Sequence, residues 1–410
     1  MAPSRGVKRR NAAGTGIVLL ASTLYFPNVG GVENSLAHLS EAIKALGFRP
    51  WLFVSTGGDP SATKMRFEVR RIRGVPVLRY RFSSLAVVRW IRAWLGLRIF
   101  RRRFRIVGMI SRDEHSSVAA MLVRQPCVYV VPGIVSDQHK PRGANPLRWL
   151  NHLTSVLLQR IALARVPRVA VFSRAMVEAV EREVGRTTVE LVRPGISRAR
   201  FSVLPLEQRR LRRREVGLPA DVRIAVAVGR FTVLKRFDLV VEALVHLPDS
   251  WHLVLVGDGP ERQRLQSLVQ ELGLVQRVHF VGQVTNPETY LQIADVYVLS
   301  SEKEAFGQVL IEAMACGLPI AAFDPRLPDV DTATREIVPG EWLFEAAEKR
   351  PEALARAVAE AVEGDIDPNK IARRTVGMYS WEELARQLIE PMMCSPGFVT
   401  RHNENTSTAS

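Results

Sequence analysis

The sequence predicts an α/β protein built from two doubly wound parallel-sheet domains, and three observations carry that expectation. Its 410 residues exceed one ordinary core, at roughly 150 residues per domain. Short apolar runs alternate with amphipathic helical stretches, the spacing of strand, helix, strand units. The same order then starts again beyond the very basic stretch Arg209 to Arg214.

In the first half, Gly16 to Ser22 is a compact apolar run that ends in a Gly-rich turn. Val32, Leu36, Leu39, Ile43 and Leu46 then recur every three or four positions, the period of a helix with one apolar face, and Gly47 stops it. Pro50 to Val54 is the next strand, so the unit implies a parallel pair with a right-handed crossover. The second half repeats the pattern, with strands at Arg223 to Val228, Trp251 to Val256, Arg277 to Val281 and Asp295 to Ser300. Its helices are expected from Asp238, over Pro260 to Leu272, and over Phe306 to Cys316, the last closed by Gly317 with Pro319 just beyond. A last helix spans Trp381 to Met392. The expected organisation is a basic tail over 1–15, a first domain over 16–205, a second over 206–376, a terminal helical segment over 377–394, and a disordered Ser, Thr and Asn-rich tail over 395–410.

Composition bounds the partners more than the fold. Hydrophobic residues make up 47% and charged residues 24%, as in globular proteins, so disordered and fibrous classes are excluded. Lys and Arg outnumber Asp and Glu by 57 to 41, a net charge of +16, and such a surface attracts phosphates, anionic lipid or nucleic acid. Cys127, Cys316 and Cys394 are odd in number and far apart, which suggests neither a disulfide framework nor a zinc site and fits a reducing cytoplasm. The basic start followed by Ile17 to Leu20 could pass for a signal peptide, but the run is very short and leads into Tyr25-Phe26-Pro27, so a first β-strand behind a basic tail is expected. No stretch reaches the 18 or so apolar residues of a spanning helix, so membrane contact is expected to be peripheral.

The candidate chemistry gathers where a strand ends and a helix begins, the end of a parallel sheet at which ligands bind. In Ser300-Ser301-Glu302-Lys303-Glu304-Ala305-Phe306-Gly307-Gln308-Val309-Leu310-Ile311-Glu312, Gly307 lets the backbone approach a ligand. The amides of Phe306, Gly307, Gln308 and Val309 at the helix start can hold a diphosphate with the help of the helix dipole. Glu304, in the loop before the helix, and Glu312 are then placed to accept hydrogen bonds from hydroxyl groups. As plain surface glutamates they would need no function, but the whole string is more specific than either residue.

This string, Glu304 and Glu312 with seven residues between them inside SSEKEAFGQVLIEAMACGLPI, closely resembles the signature of family 4 retaining glycosyltransferases. The resemblance covers roughly 16 to 393 and implies the GT-B fold, two Rossmann-like domains facing a cleft with a C-terminal helix crossing back to the first. It implies that Glu304 contacts the transferred sugar and Glu312 the ribose. Arg230 and Lys235 in VGRFTVLKRFD resemble the family's cationic pair, which would neutralise charge on the leaving nucleotide, a part otherwise played by a metal. Gly30 and Gly31 resemble its glycine loop, although a Gly-Gly turn alone is an ordinary tight turn. Phe172-Ser173-Arg174, the turn Arg193-Pro194-Gly195-Ile196 and the final Tyr379-Ser380-Trp381 helix also match in order. The expected chemistry is retaining transfer of a sugar from a nucleotide diphosphate sugar to a glycan or lipid-linked acceptor, with no metal and no further cofactor.

One departure concerns the first domain. Many relatives carry a His directly after the strand that here reads Cys127 to Val131, and Pro132-Gly133 stands in its place. His115 resembles a second family histidine and is the candidate for lining the cleft, with His139 a few residues past the turn; a lone His is as readily structural. The pairs Asp329/Asp331 and Asp365/Asp367 superficially resemble a metal motif, but each sits in a Pro-bearing loop without further hard ligands and is expected to serve turns. Gly257-Asp258-Gly259-Pro260 is expected only to start a helix.

Two stretches suggest where the surface charge acts. Residues 79–105 hold nine arginines and no acidic residue, interleaved with Val87, Trp90, Ile91, Trp94 and Leu95 at helical spacing. Residues 147–168 set Trp149, Leu150, Leu153, Leu157 and Leu158 among four basic residues. Trp and Arg on one amphipathic stretch mark an interfacial helix, so the expected partner is the anionic inner face of the cytoplasmic membrane. Core helices with basic outer faces are the plain alternative. A nucleic-acid-binding protein, or an inactive scaffold on a nucleotide-binding fold, are the rival functions, though no RNA-recognition motif supports the former and none is expected as a partner.

Overall fold

The computed structural model describes residues 16–23, 31–57, 67–72, 74–136 and 145–393. The two tails, Cys394, Gly30 and His139 lie outside the described residues.

The first sheet is assembled from β1 (Ile17–Ser22), β2 (Arg49–Ser55), β3 (Phe67–Ile72), β4 (Val75–Tyr80), β5 (Ile106–Ser111), β6 (Cys127–Val130), β7 (Arg168–Val171) and β8 (Glu190–Leu191), in the order β3-β4-β2-β1-β5-β6-β7-β8. β1 runs parallel to both neighbours, with Leu20 level with Leu52 on one side and Ile110 on the other. All six residues of β1 are buried, because helices cover both faces of a parallel sheet and its central strand has no wet side. At one edge the sheet is mixed, β3 pairing antiparallel with β4, which the purely parallel expectation did not include. Between the strands lie α1 (Gly31–Ala45), α2 (Ala86–Arg103), α3 (Glu114–Leu122), α4 (Pro146–Arg165) and α5 (Arg174–Val184).

The second half begins with α6 (Leu206–Glu215), continues through β9 (Arg223–Val228), α7 (Phe237–Ala243), β10 (Trp251–Val256), α8 (Arg262–Glu271), β11 (Val278–Gly282), α9 (Glu288–Ile293), β12 (Val296–Leu299), β13 (Lys303–Glu304), α10 (Gln308–Ala315), β14 (Ile320–Phe323), β15 (Asp331–Thr332), α11 (Thr334–Ile337), β16 (Leu343–Ala346), α12 (Pro351–Glu363) and α13 (Pro368–Met378), and ends with α14 (Trp381–Met393). Six of these strands form a sheet in the order β11-β10-β9-β12-β14-β16, while β13 and β15 pair separately. Alternation sorts side chains between two cores. Ala225, Ala227, Leu253 and Leu255 pack on one face with α7 and α12, and Ile224, Val226, Val254 and Val256 on the other with α10.

The basic stretch that marked the repeat is α6, and it is not simply a solvated charge run. Arg213 is buried and donates to Ile293 O at 2.9 Å and to Asp295 Oδ2 at 2.9 Å, and Arg209 donates to Asp295 Oδ1 at 2.8 Å. Part of the chain's cationic excess is therefore spent inside.

The chain divides into two compact units, and the division differs from the boundary expected at 205/206. The first comprises residues up to Ala170 with Glu183–Thr188 and from Ala385 onward; the second comprises Val171–Arg182 and Val189–Leu384. The reason lies in long-range bonds. Ser173 Oγ donates to Ala305 O at 2.5 Å, Arg174 N to Glu336 Oε2 at 2.7 Å, and Arg200 Nη2 to Glu288 Oε2 at 2.6 Å, so these segments fold with the later strands. The end of α14 folds with the first unit. There Leu388 O accepts from Arg168 at 2.8 Å, and a Cβ on Gly108 would meet Met392 Sδ at 2.3 Å.

Candidate active site

In the second unit the site starts at the ends of β9 and β12. After β9 the chain passes through Gly229 and exposed Arg230, makes a single 3-10 turn over Val233–Lys235, and enters α7. This corner is shaped by close backbone contact with the loop after β10. A Cβ on Gly257 would lie 1.9 Å from Gly229 O, and one on Gly259 would lie 2.3 Å from Phe231 O. Phe231 N donates to Asp258 O at 2.9 Å and Glu261 N donates to Phe231 O at 3.1 Å. Gly257-Asp258-Gly259 thus does more than start a helix, as the sequence suggested: it buttresses the segment that presents Arg230 and Lys235.

After β12, Ser300 and Ser301 are buried and the chain forms β13 beside β15. Glu304 was expected in a plain loop; it ends β13 instead, level with Thr332, which fixes its backbone. The following helix begins later than expected. Phe306 packs its ring against Phe172 and Tyr379, at 5.6 and 6.4 Å between centroids, and Gly307 takes φ 73°, so α10 starts at Gln308. Of the amides assigned to an anion, those of Gln308 and Val309 open the helix and have no intrahelical carbonyl within reach, whereas Phe306 and Gly307 precede it. Gln308 is also fixed through its side chain, which donates to Gly195 O at 3.0 Å.

The fold brings two of the sequence-predicted residues into direct contact. Lys235 Nζ donates to Glu304 Oε2 in an ion pair, both side chains about a quarter exposed or less. Glu312, the fifth residue of α10, lies about 6 Å along the axis from its start, at 1.5 Å per residue. Burial pushes its carboxyl up to about 8, with Glu288 adding to the rise and Arg200 opposing it. Tyr297 of β12 is buried; burial, Glu304 and Glu312 together raise its hydroxyl well above the ordinary range. Nothing in the sequence singled out Tyr297, because a tyrosine within an apolar strand is an ordinary core residue.

The candidate groups of the first unit are arranged differently. Gly31 opens α1. His115 sits in the first turn of α3 and is 2% exposed. Its Nε2 accepts from Arg89 Nε at 3.3 Å, and its Nδ1 lies 3.2 Å from Glu114 Oε1 and 3.8 Å from Asp113 Oδ1. Asp113 caps the helix by accepting from Ser116 N at 2.8 Å. The turn at Pro132-Gly133 is held by Gln159 of α4, which donates to Gly133 O at 2.8 Å and accepts from Val135 N at 2.6 Å. Of the Asp pairs, Asp329 takes φ 64°, as turn residues do. Asp367 caps α13 through Asn369 N at 2.8 Å, and Asp331 opens β15 opposite Lys303.

With this geometry in hand, the comparisons define first the class. The sucrose-phosphate synthase of Thermosynechococcus elongatus superposes with a TM-score of 0.72 at 23% identity, over 96% of this chain and 100% of that one. Anabaena HepE, solved with UDP and glucose, superposes with a TM-score of 0.70 at 18% identity, over 92% and 99%. The fold is GT-B. Two family models then match in sequence, Glycosyltransferase Family 4 over residues 29–200 and Glycosyl transferases group 1 over residues 208–378. A phosphatidylinositol N-acetylglucosaminyltransferase component of Arabidopsis thaliana is 25% identical over 389 residues, 90% of this chain and 80% of that protein. The lipopolysaccharide core biosynthesis glycosyltransferase LpsE of Rhizobium meliloti is 30% identical over 195 residues, 45% of this chain and 54% of that protein. The chain belongs to the family 4 glycosyltransferases and is a glycosyltransferase.

Proposed function

We propose that this enzyme transfers a sugar, with retention of configuration and without a metal, from a nucleotide diphosphate sugar to a glycan or lipid-linked acceptor at the cytoplasmic face of a membrane. The observation that carries the reading is the Lys235–Glu304 ion pair beside the start of α10. An arriving diphosphate draws Lys235 to itself, with Arg230 and the amides of Gln308 and Val309 as further donors. That exchange leaves Glu304 with acceptor capacity for the hydroxyls of the sugar, and Glu312 takes the ribose. The cations neutralise charge on the leaving nucleotide, so the bond from the anomeric carbon to the phosphate oxygen weakens without a Lewis acid. The acceptor hydroxyl then forms the new bond on the face from which the nucleotide leaves, and its proton passes to the departing phosphate oxygen. Names of relatives support the donor and acceptor classes: one neighbour was solved with UDP and glucose, and two relatives act on phosphatidylinositol and lipopolysaccharide core by name.

The membrane part of the reading rests on α2 and α4. On α2, Val87, Ile91, Leu95 and Ile99 are exposed at four-residue intervals, above the basic end Arg101, Arg102 and Arg103. On α4, Leu147, Trp149, Leu150, Leu153 and Leu157 are exposed. Such stripes suit an interface between water and anionic lipid. Among the described residues no helix is long and apolar enough to cross a membrane.

The deciding experiment is calorimetric binding of UDP-, GDP- and ADP-sugars in EDTA to the wild type and to Glu312→Ala. Binding by the wild type that weakens in the variant supports the donor site; binding by neither moves weight to the nucleic-acid and inactive-scaffold alternatives. Proton NMR of the first product's anomeric signal tests retention.

A further inference from the structure

Arg236, the residue after Lys235, takes a left-handed backbone conformation, φ 46°, that disfavours any side chain with a Cβ. Its guanidinium reaches in two directions. Nη1 donates to Glu302 Oε1 at 2.7 Å, and Nε donates to Asp238 Oδ1 at 3.1 Å in the first turn of α7. Lys349 Nζ donates to the same Glu302 oxygen at 3.1 Å. Burial alone would raise the Glu302 carboxyl, but the hydrogen bonds from Arg236 and Lys349 hold it below the ordinary range, so it is charged at neutral pH. Two bonds to main-chain carbonyls run alongside: Glu302 N donates to Leu234 O at 2.9 Å, and the Ser300 hydroxyl donates to Lys235 O at 2.6 Å. The segment that carries Lys235 and the segment that carries Glu304 are therefore strapped together one residue and two residues away from the reacting groups.

We propose that Arg236 and Glu302 are a positioning pair that fixes the backbone of Lys235 against that of Glu304 while those two side chains exchange partners on donor binding. The inference rests on the donor reading above. Without donor, Lys235 and Glu304 hold each other, and that pair itself keeps the segments in register. Once the diphosphate takes Lys235 and the sugar takes Glu304, this tie is gone and the strap through Arg236 remains. A shift of about 1 Å in a catalytic group can slow a reaction about a hundredfold, so rigidity is needed at the moment the direct pair is broken. The strap also accounts for an arginine in a conformation that a glycine adopts more easily: the side chain supplies what the backbone disfavours.

Arg236→Gly deletes the fork and relieves the backbone together, so its two effects on stability oppose each other; Arg236→Lys keeps the charge and the backbone conformation without the fork. With the nucleotide sugar that the wild type binds, Arg236→Gly is expected to slow nucleotide release at least about tenfold with KM within about threefold, and Arg236→Lys to recover part of the loss. The unfolding temperature of Arg236→Gly should stay near that of the wild type. Amide hydrogen exchange needs no substrate and reads the strap directly. Glu302→Gln should speed exchange over 232–236, and Arg236→Gly should speed it over 300–305. Exchange confined in each variant to the segment that was changed, or turnover by Arg236→Gly at the wild-type rate, overturns the proposal. A wild type that binds no nucleotide sugar overturns the donor reading instead, and the exchange data then decide separately whether the strap exists.

Discussion

The two units use polar residues in opposite ways. In the second, Lys235 and Glu304 pair with side chains a quarter exposed or less, Arg230 is exposed, and the segment that carries Arg230 and Lys235 is shaped by main-chain contact at Gly257 and Gly259. In the first, Asp113 and His115 are buried in a network with Glu114 and Arg89, and the exposed features are apolar stripes on α2 and α4 with arginines around them. A nucleotide is small, charged and fixed in shape, so a rigid backbone corner with a few ions suffices. An acceptor attached to a membrane calls for a broad surface instead, with its polar network sealed behind it. On the proposed function, chemistry and docking fall to separate halves of this chain.

Breaking the ionic corner should give the largest effect. Lys235→Ala is expected to lower the initial rate of transfer about 10²–10³-fold while the folded fraction in circular dichroism stays unchanged, because a preorganised charge is lost and nothing buried is exposed. An unchanged rate would leave the donor site without its cation. Next comes the corner's backbone. Gly257→Ala should cost about 3 kcal/mol in chemical denaturation, since the new Cβ meets Gly229 O at 1.9 Å and φ is 135°. Gly74, at φ 76° in the first unit with nothing within 4 Å, should lose only about 1 kcal/mol on the same change. Similar losses at both positions would remove the argument from close packing.

The docking half can be tested independently. Replacing Arg101, Arg102 and Arg103 by Ser should lower partitioning onto vesicles containing anionic lipid about a hundredfold at low salt, at about 1 kcal/mol per cation, without changing nucleotide binding. Partitioning that does not change would return α2 to an ordinary basic helix. A last test concerns Glu312. Its folded-state carboxyl titrates at about 8, above its ordinary value, so the protonated folded form is favoured. The stability this contributes is complete below the ordinary carboxylate range and is lost as pH rises through about 8. Glu312→Gln should therefore unfold at a higher temperature than the wild type at pH 8.5 or so, and the two curves should converge near pH 4. Parallel curves across that range would show that burial at this site is not felt by the carboxyl.

Much of this molecule was legible in the chain. The strands β9 and β10 coincide with their apolar runs, and β1, α1 and α14 differ from expectation by a residue or so at their ends. Periodicity is a local property, and a strand buried between two helical layers must be apolar throughout, so the order of elements is written in consecutive residues. The same holds for the string from Ser300 to Glu312, in which the residues of one strand end and one helix start are adjacent. The antiparallel β3, the late start of α10 and the position of Glu304 on a paired strand departed from expectation, because each depends on a neighbour elsewhere: β4, Phe172 and Tyr379, and β15.

Residue type and near-neighbour spacing were enough for the class of fold, for its two halves and for picking out Lys235 and Glu304 as candidates. Long-range packing alone assigns Val171–Arg182 to the second unit, pairs Lys235 with Glu304 across 69 positions and ties the two segments through Arg236 and Glu302. Contacts of that range are set by how layers pack and which backbones can approach, and no periodicity along the chain records them.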